Sequence, residues 1–318
     1  MFKTAIILPA YNESEHIRLV INDIATTVQS TADFSYDTIV INDGSTDKTA
    51  EIAQSAGANV ISHTRNRGLG TTFRTAITTA LEKKYDCMVF FDADGQFSAK
   101  DIPNIIAPIA SGSADFVLGT RFANGTPHNM PRMKLVGNTL LAQFISWTTR
   151  TSLTDVSCGF RAYGKEALFR INVSGRFTYT QEVILDLLFK RLYVTSVPIS
   201  VKYFPNRTSA ISSNLWKYGW RVFLIIARTF RDYRPLLFFG FVGGMLFCIG
   251  LLFDTWLIIY YLRTGVFSPY KIIGFGGAFL NFLGVTIWFI GLVADMLNQI
   301  RRDQEELLYL QKKNHHRI

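Results

Sequence analysis

Two carboxylates one residue apart, Asp92 and Asp94, close an apolar run in the stretch CMVFFDADGQFSAKD, residues 87–101. Carboxylates that leave a strand end and face one crevice suit a hard divalent cation, Mg2+ or Mn2+, which takes oxygen ligands and is commonly shared with substrate phosphates. Gln96 offers a third oxygen, and Gly95 permits the tight turn. The pattern points to a metal-bound diphosphate, against the plain alternative of an Asx turn closing a strand. An EF-hand is excluded, because no Asp or Asn stands at its fifth position and no Glu at its twelfth. Two further strand ends carry polar groups: LPAYNE supplies Pro9, Tyr11 and Glu13, and INDGSTD supplies Asp43. An aromatic ring stacks on a nucleobase, and acids accept hydrogen bonds from base or ribose. Asp47 reads as a helix cap, and RNRGLGTTFRTA as a helix entrance bordering the nucleotide.

Side chains so far apart in sequence meet only if the fold gathers strand ends. Short β-rich runs, TAIILPAY, DTIVINDGS, ANVISHT, CMVFFDADG, DFVLGTRF and VTSVPISVKYF, alternate with helical patterns. That alternation predicts a largely parallel sheet covered by helices. Residues 88–91 show no polar alternation, as expected of a strand buried on both faces. In such sheets ligands bind beyond the carboxyl ends of the strands, where Tyr11, Asp43, Asp92 and Arg121 are expected to converge.

With 48% apolar residues and a mean hydropathy of +0.18, the 318-residue chain is too apolar for an ordinary soluble enzyme. The excess lies late, in residues 235–262 and 272–294, each long enough to cross ~30 Å of hydrocarbon. Arg228, Arg231 and Arg234 precede the first run and Arg301 and Arg302 follow the second, so the positive-inside rule puts the catalytic domain and both termini in the cytoplasm. A signal peptide is not expected, since TAIILPAY meets Glu13 and Glu15 too soon. Residues 211–234 read as an amphipathic interfacial helix and 295–318 as a charged helical tail, leaving 1–210 as the α/β domain. Cys87, Cys158 and Cys248 form no CxxC pair and suggest neither disulfide nor zinc. The net charge of +9 lies largely beside the spans, and without a nucleic-acid signature it fits anionic lipid rather than nucleic acid.

In this order and at these separations, LPAYNE, NDGSTDKT, NRGLG, FDADGQF, GTRF and VSCGFRAY resemble the GT-A glycosyltransferases of family 2. More narrowly they are similar to the polyprenyl-phosphate glycosyl synthases, the branch of dolichyl-phosphate mannose synthase and bacterial polyisoprenyl-phosphate glucosyltransferases. The resemblance implies an α/β fold: a GT-A, Rossmann-like, mainly parallel sheet followed by a C-terminal two-helix transmembrane anchor. It implies metal-dependent, inverting transfer of a hexose from a nucleotide-diphosphate sugar, GDP-mannose or UDP-glucose in type, to dolichyl or undecaprenyl phosphate. Pro9, Tyr11, Glu13 and Asp43 would line the nucleotide pocket, and Asp92, Asp94 and Gln96 would hold Mg2+ or Mn2+ on the diphosphate. Arg121, Arg132 and Lys134 would bind the lipid phosphate, Asp155, Arg161 and Glu182 would sit near the sugar, and Arg207 would close over the phosphates. One departure is visible: where the family often shows a glycine and then Ser-Lys after that arginine, this chain has Ala210 and Asn214. A processive polysaccharide synthase is a rival that shares the nucleotide motifs, but QxxRW is missing and only two spans are found. A non-catalytic membrane scaffold of the same fold is a second rival, and self-association is left open.

Overall fold

The structure, a computed structural model, describes residues 1–29, 34–122, 125, 130, 132–172, 179–202, 224, 227–228 and 231–317, with backbone alone at 29, 132–134, 179–182 and 317. It divides into two compact units, Met1–Gly219 with Leu308–Ile318, and Trp220–Leu307.

The first unit is built on a seven-stranded sheet. In chain order its strands are β1 (Phe2–Ala10), β2 (Phe34–Asn42), β3 (Asn59–Ser62), β4 (Cys87–Phe90), β5 (Phe116–Thr120), β6 (Arg161–Gly164) and β7 (Val194–Pro198). Across the sheet they run β3-β2-β1-β4-β6-β5-β7. All pairings are parallel except those of β6, which lies antiparallel between β4 and β5. The parallel sheet follows the sequence expectation. The antiparallel β6 was visible only as part of the motif VSCGFRAY.

Helices seal both faces. Helix α1 (Ile17–Gln29) turns Ile17, Val20, Ile21 and Ile24 inward at helical spacing, and α4 (Ile102–Ala110) does the same with Ile102, Ile105, Ile106 and Ile109. These side chains share a core with Val89 and Phe91. On the other face α3 (Leu69–Glu82) packs Phe73 edge-on to Phe90, with ring centroids 5.3 Å apart. Alternate residues of β4 therefore feed two cores, which explains a strand with no polar member. The remaining helices of this unit are α2 (Thr49–Ser55), α5 (Arg132–Thr149), α6 (Lys165–Arg170) and α7 (Tyr179–Phe189).

The second unit holds two helices, α8 (Pro235–Thr264) and α9, which runs unbroken over Lys271–Arg317 and carries its last turns into the first unit. The sequence reading placed a span and a separate charged tail here, and both belong to this one helix. Both helices are long and apolar enough to be candidate membrane spans. Only 11% and 17% of their most apolar stretches is buried, unlike the core helices of a soluble protein. Glycines let them pack closely: a Cβ on Gly243 would stand 2.6 Å from the Gly284 carbonyl oxygen, and one on Gly284 the same distance from that of Gly243. Asn281 donates to Asp254 at 2.6 Å, pairing the polar groups of the two helices. Of the expected interfacial helix, 211–234, most falls outside the described residues.

Candidate functional site

Chain order and sheet order part company between β1 and β4: β2 and β3 extend one side of β1, and β4 then starts the other. A crevice opens at such a switch point, beyond the carboxyl ends of the strands. Tyr11 directly follows β1, Asp43 follows β2, Asp92 stands two residues past the end of β4, and Arg121 follows β5.

On the β1 side the backbone is tied down so that Tyr11, 45% exposed, stands free to stack. Asn12 adopts a left-handed φ of 55°, and its Oδ1 accepts the Thr46 amide at 2.9 Å while its own amide donates to Ser45 Oγ at 3.0 Å. The Glu13 amide donates to Thr49 Oγ1 at 2.9 Å. These bonds lock the ends of β1 and β2 together and hold Pro9, Tyr11 and Glu13 on one rim.

Asp43 is buried and acts as a keystone. Its Oδ1 meets His63 Nδ1 at 2.7 Å and the Arg67 amide at 3.0 Å, and its Oδ2 accepts the Gly68 amide at 2.8 Å. The other His63 nitrogen lies 3.0 Å from Thr75 Oγ1. The carboxylate thus joins the end of β2 to the entrance of α3. His63 was not singled out from sequence, because its partners lie 20 and 12 positions away.

Asp92 and Asp94 flank a turn in which the Gln96 amide donates to Asp94 Oδ1 at 3.0 Å and Gly95 takes a φ of 73°. Asp92 packs directly under Gly159, where a Cβ would stand 2.5 Å from Oδ2. Loss of surrounding water first, then the charge of Asp94, pushes its carboxyl up to about 7; Glu13 adds to the rise, and Arg161 and Arg121 oppose it. A site that resists its own negative charge favours a bound cation. Among the described residues no three His, Cys, Asp or Glu side chains cluster as a complete metal cage. Two carboxylates plus substrate phosphates are a donor set that Mg2+ and Mn2+ accept, so the residues fit the expected ion.

Arg121 is held by a planar, two-point pair with Asp155: Nε to Oδ2 at 2.7 Å and Nη2 to Oδ1 at 2.9 Å, with Ser157 Oγ 2.7 Å from Nη2. Asp155 is fully buried. The loop that carries it is pinned by Asn138 of α5, which donates to the Thr154 carbonyl at 3.0 Å and accepts from the Val156 amide at 3.1 Å and Ser157 Oγ at 2.9 Å. Sequence reasoning missed Asn138, which looks like any polar helix residue. Arg161 is also fully buried, on β6, and donates from Nε to the Cys158 carbonyl at 2.7 Å and from Nη2 to that of Val156 at 3.3 Å. It braces the 155–160 loop and places positive charge near Asp92. Arg132 and Lys134 open α5 and Glu182 lies in α7, with their side chains outside the described residues, as is Arg207 entirely.

The family described as Glycosyl transferase family 2 matches residues 5–171. The chain is similar to the glycosyltransferase AglJ of Haloferax volcanii, 28% identical over 303 residues covering 94% of this chain and 95% of that protein. It is 31% identical to the UDP-N-acetylglucosamine--dolichyl-phosphate N-acetylglucosaminyltransferase of Methanococcus voltae, over 62% of this chain and 85% of that one. The polyprenol monophosphomannose synthase of Mycolicibacterium smegmatis is 26% identical over 62% of this chain and 77% of its own. Among solved structures, glucosyl-3-phosphoglycerate synthase from Mycobacterium tuberculosis, in complex with Mn2+, UDP-glucose and phosphoglyceric acid, shares the fold. Its TM-score is 0.54 over 72% of this chain and 79% of that one, at 22% identity.

Proposed function

The chain belongs to glycosyl transferase family 2, and from that premise we propose that it transfers a hexose from a nucleotide-diphosphate sugar to a membrane polyprenyl phosphate, inverting the anomeric carbon. One observation carries the reading: the Asp92–Asp94 turn stands at one strand end of the crevice and the Asp155-held Arg121 at another, an acid site for a cation beside a basic site for a phosphate. Relatives named for dolichyl-phosphate and polyprenol acceptors support the lipid, and the two candidate spans supply the membrane.

Nucleotide binding falls to Pro9, Tyr11, Glu13 and the rim ordered by Asp43. Asp92, Asp94 and Gln96 would hold Mg2+ or Mn2+ on the donor diphosphate; when bound, such an ion neutralises the charge that develops on the leaving nucleoside diphosphate. The acceptor needs no conventional base, since a phosphate monoester has a second pKa of about 6 and is largely a dianion at neutral pH. Its oxygen is already nucleophilic, and the enzyme's task is to position it in line. Arg121, its Nε and Nη2 held by Asp155 and Ser157, would add positive charge beside that phosphate, with Arg132, Lys134 and Arg207 as further contacts. Glu182 would serve the sugar; Asp155 and Arg161, sealed in the fold, would act there through Arg121 and the 155–160 loop. By the charge pattern, the catalytic unit and both termini lie on the cytoplasmic side, where nucleotide sugars are made.

The test is transfer of radiolabelled sugar from a panel of nucleotide sugars into organic-extractable lipid by purified chain with polyprenyl phosphate and Mg2+ or Mn2+. Label carried by one donor, lost with EDTA and in Asp94→Ala, is expected and names the sugar. No transfer by folded protein with any donor, or label moving instead into a polymer, overturns the reading.

A further inference from the structure

The two charged halves of the site are not neighbours in the sheet. The Asp92–Gln96 turn follows β4 and Arg121 follows β5, and β6 runs between those strands. Two strand spacings, about 10 Å, therefore separate the ends, and a reaction that brings two substrates into line tolerates little error across that gap. Residues 199–202, which continue from β7, tie the two ends together. The Ile199 amide donates to the Thr120 carbonyl at 3.0 Å, one residue before Arg121. Its side chain lies over Gly119, where a Cβ would stand 2.9 Å from Ile199 Cδ1. Val201 forms an antiparallel bridge with Phe97, and the Lys202 amide donates to the Gln96 carbonyl at 2.9 Å. Between these ties the Ser200 amide donates to Asp101 Oδ2 at 2.7 Å.

Asp101 stands at the N-cap of α4, where an aspartate ordinarily accepts an amide of its own first turn. Its carboxylate makes no such bond. Pro103, in that first turn, has no N–H to offer, and the acceptor is spent instead on a residue 99 positions away. A short bond from an amide to a carboxylate is of the stronger, charge-assisted kind. The helix forgoes a cap and the strap gains an anchor. We propose that Asp101 is a positioning residue for the transfer: through residues 199–202 it fixes the metal turn against the strand end that carries Arg121. It touches neither substrate, and supports the groups that do. The link to transfer rests on the function proposed above; the strap itself does not.

The first arm of the test follows amide hydrogen exchange by mass spectrometry in the full chain, with and without Mn2+ and UDP or GDP. In the parent, the metal with its nucleotide is expected to slow exchange at 199–202 at least about threefold, because the turn it binds is tied to them. In Asp101→Ala the unliganded segment should exchange at least about tenfold faster and lose the response to ligand. Asp101→Asn, whose side-chain oxygen still accepts from Ser200, should behave as the parent. Exchange at 199–202 that ignores Asp101→Ala overturns the proposal. The second arm measures sugar transfer. Asp101→Ala is expected to lower kcat about tenfold with KM for donor and acceptor changed less than about twofold, and Asp101→Asn to stay within about threefold of the parent. An Asn variant as slow as the Ala variant assigns the effect to charge and overturns the proposal, as does an Ala variant that melts early and loses Mn2+ and nucleotide together. A parent inactive with every donor sinks the transfer reading, and the unliganded exchange comparison still decides the strap.

Discussion

At the scale of single residues, the carboxylates after β4 make a pH prediction whose sign is fixed. The folded value of Asp92, about 7, lies above the ordinary 3.8, so the fold keeps a proton that the unfolded chain releases. Stability from that proton is full at acid pH and lost as the pH rises through the window from about 4 to about 7. A cation that binds the deprotonated carboxylate reverses the trend. Mn2+ affinity with nucleoside diphosphate present, read by electron paramagnetic resonance, should fall about tenfold per unit below pH 7 and level off above it; a flat profile would remove Asp92 from the ligand set. Asn138 makes a separate prediction. Asn138→Ala leaves the Val156 amide without its partner, costing about 1–3 kcal/mol of stability. It should raise the KM for acceptor about tenfold through Arg121 while calorimetric nucleotide binding holds. If both change together, Asn138 supports the whole unit and not the phosphate site. The strand-end acids were legible in the sequence because strand ends are where apolar runs stop. The bonds that engage Asp43 and Asp155 were not, since His63, Ser157 and Asn138 become partners only once the loops are folded.

Elements were legible where burial left an uninterrupted apolar run or a helical stripe. β1, β2 and β4 announced themselves because both faces of the sheet are covered. β6 did not: it is four residues, RAYG, with a buried arginine whose charge argues against a strand until the carbonyls of Cys158 and Val156 are seen to receive it. The two apolar helices were found by length, but the glycines in them carry the packing information. Gly284→Leu forces a side chain into the Gly243 backbone and should cost about 1–3 kcal/mol, whereas Gly276→Leu, with open space at its Cβ, should be nearly silent. Thermal unfolding of the two variants in detergent, beside a nucleotide-binding assay, checks this. Equal melting of both would mean that α8 and α9 do not pack through this glycine seam.

For the molecule as a whole, the consequential feature is that the first unit is finished by the last residues of the chain. Tyr309 of α9 is buried, with the Arg170 guanidinium 4.0 Å over its ring and Lys313 Nζ 5.0 Å away. Lys312, whose pKa is lowered chiefly by burial, donates to the carbonyl of Ile171 at 3.0 Å and to Asn172 Oδ1 at 2.8 Å, 141 and 140 positions away. The charged helical tail is therefore structural: it grips the end of α6 and the residues that follow. Burial of an aromatic ring contributes about 1.5–3 kcal/mol, and a guanidinium over its face about 0.5–2 more. Deleting residues 308–318 should therefore lower the Tm of the first unit by about 4–20 °C, and Tyr309→Ala alone should account for most of that fall. Melting followed by loss of nucleotide protection isolates this unit from the apolar helices. Because synthesis runs from the N-terminus, this unit reaches its full stability only after both apolar helices have been made. Supplying a peptide of residues 304–318 in trans to the truncated chain should restore part of the lost Tm. A truncated chain that melts with the parent would show that the tail rests on this unit without stabilising it.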